Sequence, residues 1–411
     1  MALNRFLPMF ASLMIGSIMI GLWMGLDLPS VVTAMWGEFT SPTSLWLSCI
    51  IVLILFLSHL LTKSKRMDRI FESFAAVSPS SRFTTAAMPA LIGLLPMPGG
   101  ALFSAPMVET ALKDSSVKPE LKVAVNYWFR HIWEYWWPLY PGVILAISVF
   151  AVEPWKMIVC QFPLTLGALA AGWVFILRAV PNSAEEHKNV DRSTVLRFVL
   201  DTMPIWIVVA GLFVIRVVLE SVGFLAGYQI PGVDYLSFLL ALILAIWLVI
   251  RTSSESGAAI REALSDPKSY YIAFTIAAVL GFKGVLVDSH AIEQVKLDLA
   301  AYNVPPLLIM IFLPFLAGMI TGIAVGFVGA SFPLVVTLVP EGASPYPYAL
   351  LAYGFGYAGM MLSPIHICFV VTKEYFSANL GASFIHLWKP SLVVLLWTVA
   401  LFLIYVRLAA L

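Results

Sequence analysis

The 411-residue chain is 61% hydrophobic and only 11% charged, with a mean hydropathy of +0.93, which excludes an ordinary soluble domain and indicates a polytopic membrane protein. Its 24 basic and 23 acidic side chains nearly cancel, excluding both a basic surface large enough for nucleic acid and an acidic disordered tail. Cys49, Cys160 and Cys368 lie far apart in apolar stretches, so they form no disulfide framework or spaced metal-ligand motif and read as small core residues.

A membrane helix needs about 20 apolar residues. Arg5 precedes an apolar run over 6–26 that is too long for a signal-peptide core and has no small-x-small cleavage site, so it predicts a first membrane helix. Further simple spans are predicted at 43–61, 157–178, 203–222, 234–250, 269–287 and 391–408. The stretch 83–110 is cut by Pro96, Pro98, Gly99 and Gly100, and the stretch 304–340 by Gly322, Gly326, Gly329 and Pro333; both read as re-entrant hairpins. Two others, 122–150 and 348–372, are interrupted by Pro138 and Pro141 and by Pro364. Proline removes a backbone donor, and in lipid such a break is tolerated only where it is buried in protein or lines a cavity, so both stretches predict discontinuous helices next to a site.

The same punctuation recurs. Ser41-Pro42 is followed 47 residues later by Pro89-Ala-Leu-Ile-Gly93, and Asp266-Pro267 is followed 47 later by Pro314-Phe-Leu-Ala-Gly318. The hairpins share a Ser-x-Pro, at Ser104 and Ser331, and each broken helix has an aromatic-rich start with proline nine residues after a phenylalanine, Phe129 or Phe355. These offsets of 225 to 227 residues predict two homologous halves, 1–180 and 230–411, joined by a linker over 181–229 that contains the helix 203–222.

With the N-terminus and both ends of the first hairpin on the cytoplasmic side, that side holds 18 lysines and arginines, and the other side only Lys156, Lys296 and Arg407. Nine crossings result, with the C-terminus outside. Five of them lie between the hairpins, and this odd number inverts the second half. The predicted fold is an all-α polytopic membrane protein of two inverted-topology repeats, each with a re-entrant hairpin and a discontinuous helix, a design of secondary transporters.

Two motifs, Leu95-Pro-Met-Pro-Gly-Gly-Ala-Leu-Phe-Ser-Ala-Pro-Met-Val-Glu109 and Gly359-Met-Met-Leu-Ser-Pro-Ile-His-Ile-Cys-Phe-Val-Val-Thr-Lys-Glu-Tyr-Phe376, carry a resemblance that extends over nearly the whole chain. The chain resembles an uncharacterised integral-membrane family of the ion transporter superfamily, the group that contains citrate, dicarboxylate, gluconate, arsenite and some sodium/proton carriers. The resemblance implies a homodimeric, elevator-type carrier with scaffold and transport domains. The Ser-Asn-Thr tip signature of the sodium-coupled dicarboxylate branch is absent.

Candidate binding residues fall in two groups. The expected hairpin tips, Pro98, Gly99, Gly100 and Ser104 with Gly329, Ala330 and Ser331, allow close backbone approach and supply two hydroxyls where helix ends favour ions. The broken helices supply Arg130, His131 and Glu134, then Ser363 and His366. Charges within a bilayer are costly and mark sites, and histidine titrates where proton coupling needs it. Arg130 and Glu134 also suit a plain i,i+4 ion pair. Arg216 with Glu220, and Lys283 near Asp288, read as paired or snorkelling structural charges. The aromatic cluster from Tyr127 to Tyr140 reads as packing against Gly354, Gly356 and Gly359 of the other half.

The sequence therefore predicts a secondary active transporter of a small, carboxylate-like organic anion in the cell inner membrane, coupled to a Na⁺ or H⁺ gradient. It predicts no cofactor beyond Na⁺ as a candidate coupling ion. A Na⁺/H⁺ antiporter is the alternative, and an intramembrane metal-dependent enzyme built on His131, Glu134 and His366 stands behind both.

Overall fold

The computed structural model describes residues 8–77, 80–97, 100–113, 116–181, 192–253 and 256–409, and all regular structure within them is helical. The chain opens with α1 (Met9–Trp23), α2 (Leu28–Phe39), α3 (Pro42–Lys63) and α4 (Arg66–Val77). A helical hairpin of α5 (Ser81–Ile92) and α6 (Ala101–Ala111) follows, then a broken pair, α7 (Pro119–Arg130) and α8 (Pro141–Val149), and α9 (Pro154–Phe175). The long α10 (Arg192–Ala226) leads to α11 (Val233–Thr252), α12 (Ser256–Ser265), α13 (Pro267–Asp288) and α14 (Ala291–Ala301). A second hairpin, α15 (Pro306–Thr321) and α16 (Ala324–Val335), precedes a second broken pair, α17 (Pro345–Met361) and α18 (Ile367–Tyr375). The chain closes with α19 (Leu380–Ile385) and α20 (Trp388–Ala409).

Local chemistry sets many of these boundaries. Among the described helices, α2, α3, α7, α8, α9, α15 and α17 carry proline in their first two positions, where its fixed φ suits the helix and its missing donor would have no partner anyway. Asp27 and Ser41 cap α2 and α3 by accepting from the backbone N–H of Ser30 and Ser44. Gly322 ends α15 in the left-handed region, at φ 64°, which a side chain disfavours.

Among the described residues, six helices are long and apolar enough to cross a membrane, or seven if the pair α14 and α15, bent by 118°, counts as one span. They cover the simple spans expected from 43–61 onward. The nine expected crossings included three that no single helix meets by length. The broken pairs have arms of 9 to 17 residues, and the expected span 6–26 is represented by α1, with 15 residues. That helix stops because Gly25 turns the chain at φ 92° and Asp27 starts α2.

The helices that begin at 42, 66, 81, 101, 119 and 141 are followed in the same order by helices that begin at 267, 291, 306, 324, 345 and 367. The principal packing sorts them into two bodies. One holds α1 to α4 and α10 to α14; the other holds both hairpins, both broken pairs, α9, α19 and α20. Between the bodies the main contacts are α13 on α16, α3 on α8 and α4 on α5.

The second body is tightly interlocked. A Cβ on Gly318 of α15 would run into the Gly356 carbonyl oxygen, and one on Gly359 of α17 would run into that of Phe315. Backbones this close leave no side chain to repack. Gly318→Ala and Gly359→Ala should each cost at least the ~1 to 3 kcal/mol of core overpacking, read as a lower melting temperature in detergent.

Candidate functional site

Between α7 and α8 residues 131–140 run through successive turns that pair only some of their backbone groups, and buried backbone groups need partners. Side chains add to the turn bonds. Tyr357 and Tyr353 of α17 donate to the carbonyls of His131 (2.7 Å) and Glu134 (2.9 Å), and Thr165 of α9 donates to Ile132. In return Tyr127 of α7 donates to Met361 O at the end of α17, 3.1 Å. Each broken helix thus satisfies carbonyls exposed at the other's break.

The first hairpin is held in the same way. The end of α5 exposes carbonyls that accept from Trp133 (Ala90 O, 2.8 Å), Tyr140 (Gly93 O, 2.6 Å) and Trp137 (Leu94 O, 2.9 Å). Arg130 Nη2 donates to Met97 O beside the tip, 2.9 Å. Apart from Tyr140, the aromatic cluster packs among the helices, and its contacts differ from the expected ones. The glycines of α17 face elsewhere: Gly354 meets Thr398, Gly356 meets Phe327, and Gly359 meets Phe315.

This scaffolding brings Arg130, His131, Glu134 and His366 around one cavity of about 190 Å³, together with Tyr140, Met97, Met360 and Cys368. The opposite wall comes from the other body, through Leu55 of α3 and Tyr271, Ile272 and Thr275 of α13. Arg130 is 2% exposed. Its Nη1 is 3.6 Å from Glu134 Oε1, too long for a hydrogen bond, and its Nε has no partner. The pair is therefore loose, and the guanidinium keeps donor capacity. Gly100 leaves it room, since a Cβ there would lie 2.7 Å from Nη2. His131 and His366 meet edge to face, with ring centroids 4.9 Å apart.

The remaining candidates are placed differently. Pro98 and Gly99 lie outside the described residues. The tip of the second hairpin is Gly322 and Ile323, which puts Gly329, Ala330 and Ser331 along α16 rather than at the expected tip; the glycine-rich run continues as helix because only Gly322 takes a positive φ there. Ser104 and Ser331 donate to carbonyls of their own helices, Ala101 O and Phe327 O. Ser363 donates to Met319 O (2.7 Å) and ties the second break to α15. Since those helix carbonyls already accept backbone bonds, Ser104→Ala and Ser331→Ala should shift stability by less than about 1 kcal/mol and leave ligand-induced thermal shifts near wild type.

Three contributors escaped the sequence reading. Tyr140 and Cys368 line the cavity, and buried Asn126 donates to Ala101 O and to Thr372 while its Oδ1 has no partner. Cys368 stands two residues after His366, a signal that matters only once the helix is known to unwind there. A larger groove of about 880 Å³ between α1, α2, α3, α11 and α13 is lined by mostly apolar side chains, with no charged group among them.

The fold and site define a multi-pass membrane protein, helical throughout its described regular structure, with a small cavity at the meeting of two helical bodies that bears ionisable side chains on one wall. The chain belongs to the family described as "Protein of unknown function (DUF401)", which it matches over residues 9–406. It is similar in fold to the crystal structure of the YdaH transporter of Alcanivorax borkumensis, with a TM-score of 0.52 and 15% identity, covering 96% of this chain and 97% of that one. No curated protein matches the chain.

Proposed function

We propose that the protein is a secondary active transporter of a small, carboxylate-like organic anion, working by an elevator-type alternating-access mechanism coupled to Na⁺ or H⁺. The observation that carries this reading is the cavity itself: its charged wall belongs to the body of hairpins and broken helices, and its uncharged wall, with Leu55, Tyr271, Ile272 and Thr275, belongs to the other body. The first is the moving transport domain and the second the scaffold. A ligand held by Arg130 travels with the transport domain past a wall whose cavity-lining residues carry no charge to compete for it. The cavity is smaller than the ~300 to 1,000 Å³ of drug-sized sites, so the ligand is small.

The recurrence of helix starts at offsets of 223 to 226 residues supports two inverted repeats, 1–180 and 230–411, with the moving site at their interface. The protein sits in the inner membrane as a homodimer, N-terminus in the cytoplasm and C-terminus outside. A monoanion with one coupling cation is electroneutral and does not respond to membrane potential. With two cations the complex carries one net positive charge, worth ~2.3 kcal/mol per 100 mV, or roughly 50-fold accumulation.

The test is a thermal-shift screen of purified protein against carboxylates, sulfonates and oxyanions with and without Na⁺, then proteoliposome uptake of each hit under Na⁺ and pH gradients. Stabilisation by a small carboxylate and gradient-dependent uptake are expected. An acid that binds but is not moved by either gradient would overturn the reading.

A further inference from the structure

The cavity also holds a donor set distinct from the Arg130 guanidinium on which the proposed anion site rests. His131, His366 and Cys368 are all buried, and one ligand atom from each lies within 4.8 Å of the others. His131 comes from the end of the first broken helix, and His366 and Cys368 from the break and start of the second. The set exists only because the two broken helices cross.

We infer that His131, His366 and Cys368 form a binding site for a soft monovalent transition-metal ion, Cu(I) or its surrogate Ag(I). The imidazoles are oriented for it. His131 Nδ1 lies 2.5 Å from the Tyr127 carbonyl oxygen, an acceptor that fixes the proton on Nδ1 and leaves the Nε2 lone pair for a ligand, the arrangement that commonly supports metal-binding histidines. His366 Nδ1 is buried with no hydrogen-bond partner, a cost that an ion removes. Arg130 Nη1 is 3.4 Å from His131 Nε2, a long contact, and has Glu134 3.6 Å away as its alternative when the ion takes that nitrogen.

Charge and softness select the ion. Binding exchanges the Cys368 thiol proton, which leaves to the cavity, for a sulfur–metal bond. The thiolate and Glu134 then carry two negative charges against one on Arg130, so a monovalent ion makes the cluster neutral and a divalent ion leaves a buried excess charge. Thiolate donors favour Cu(I) over hard cations, and Met97 and Met360 line the same cavity, the Met97 sulfur accepting from Thr62.

The experiment titrates the purified protein in detergent with Ag(I), and with Cu(I) held by a chromogenic chelator, following chelator competition and the thiolate-to-metal charge-transfer band. One equivalent is expected. Losing an outer hydrogen bond to a metal ligand costs ~10- to 100-fold in affinity, so Cys368→Ser and His366→Gln, which remove a ligand outright, should each weaken binding by at least that much. The Cys49→Ser/Cys160→Ser variant should bind as wild type. Gel filtration checks folding, and Cys368→Ala stands in if Cys368→Ser does not fold. Absence of a stoichiometric ion, or unchanged affinity in the Cys368 and His366 variants, would overturn the site; loss of binding in the Cys49/Cys160 variant would place the ion elsewhere, and tighter binding of Zn²⁺ than Ag(I) would overturn the monovalent assignment. None of these readouts depends on uptake.

Discussion

Arg130→Met should abolish uptake, and adding Glu134→Leu should restore folding without restoring transport. The two side chains are buried together, and removing one partner of a fully buried pair strands the other charge at a cost of ~3 to 5 kcal/mol. Arg130→Met also removes one of the two donors to the Met97 carbonyl, leaving only the Gly100 N–H, so it should be the less stable single variant. The double variant buries no unpaired charge and should regain much of the lost melting temperature. Uptake separates the roles. Truncating one side of a buried, hydrogen-bonded charge pair costs ~2 to 5 kcal/mol of binding, roughly thirtyfold to several thousandfold. If Arg130 holds the anion through the capacity left by its loose 3.6 Å pairing and unpartnered Nε, the folded double variant will not transport. A stable double variant with full uptake would reduce Arg130 to a structural ion and leave His131 and His366 as the site.

The broken helices were legible in the sequence because proline acts locally. Pro138, Pro141 and Pro364 cannot donate to a helix, and the observed breaks span 131–140 and 362–366 around them. Arg130, His131, Glu134 and His366 stood out because ionisable groups in apolar stretches are rare, and the structure gathers them at one cavity. Which glycine turns the second hairpin was not legible: Gly322, Gly326 and Gly329 are equivalent as punctuation, and only tertiary packing gives Gly322 the positive φ. Nor could the hydroxyls of Tyr127, Tyr353 and Tyr357 be assigned, since their acceptors lie 219 to 234 residues away. Arg216 shows a partial success. It pairs with Glu220 as expected, and also lies 3.2 Å from Asp234 and 3.7 Å from Glu153. The latter carboxyl, held below the usual range first by a hydrogen bond from Lys156, links α10 to the start of α9 across the two bodies.

A disulfide between positions 279 and 329 should stop transport while leaving ligand binding intact. Val279 is on α13 of one body and Gly329 on α16 of the other, so the bridge would cross the boundary at one of its principal contacts. A Cβ built on Gly329 lies 3.6 Å from Val279 Cβ, close to the ~3.8 Å mean of real disulfides. Gly329→Cys alone should be destabilising, because its Cβ meets the Val279 Cγ2 methyl; adding Val279→Cys removes that methyl and supplies the partner sulfur. Closing a loop of this length can add ~4 kcal/mol of stability on the chain-entropy account, so oxidation should raise the melting temperature of the double variant. In an elevator these two helices must part in every cycle. Uptake by the oxidised protein should therefore fall to the liposome background and return on reduction, with the ligand-induced thermal shift present in both states. If a gel shift shows the bridge complete and uptake continues at the reduced rate, α13 and α16 do not separate during transport, and the division into a moving and a fixed body fails with them.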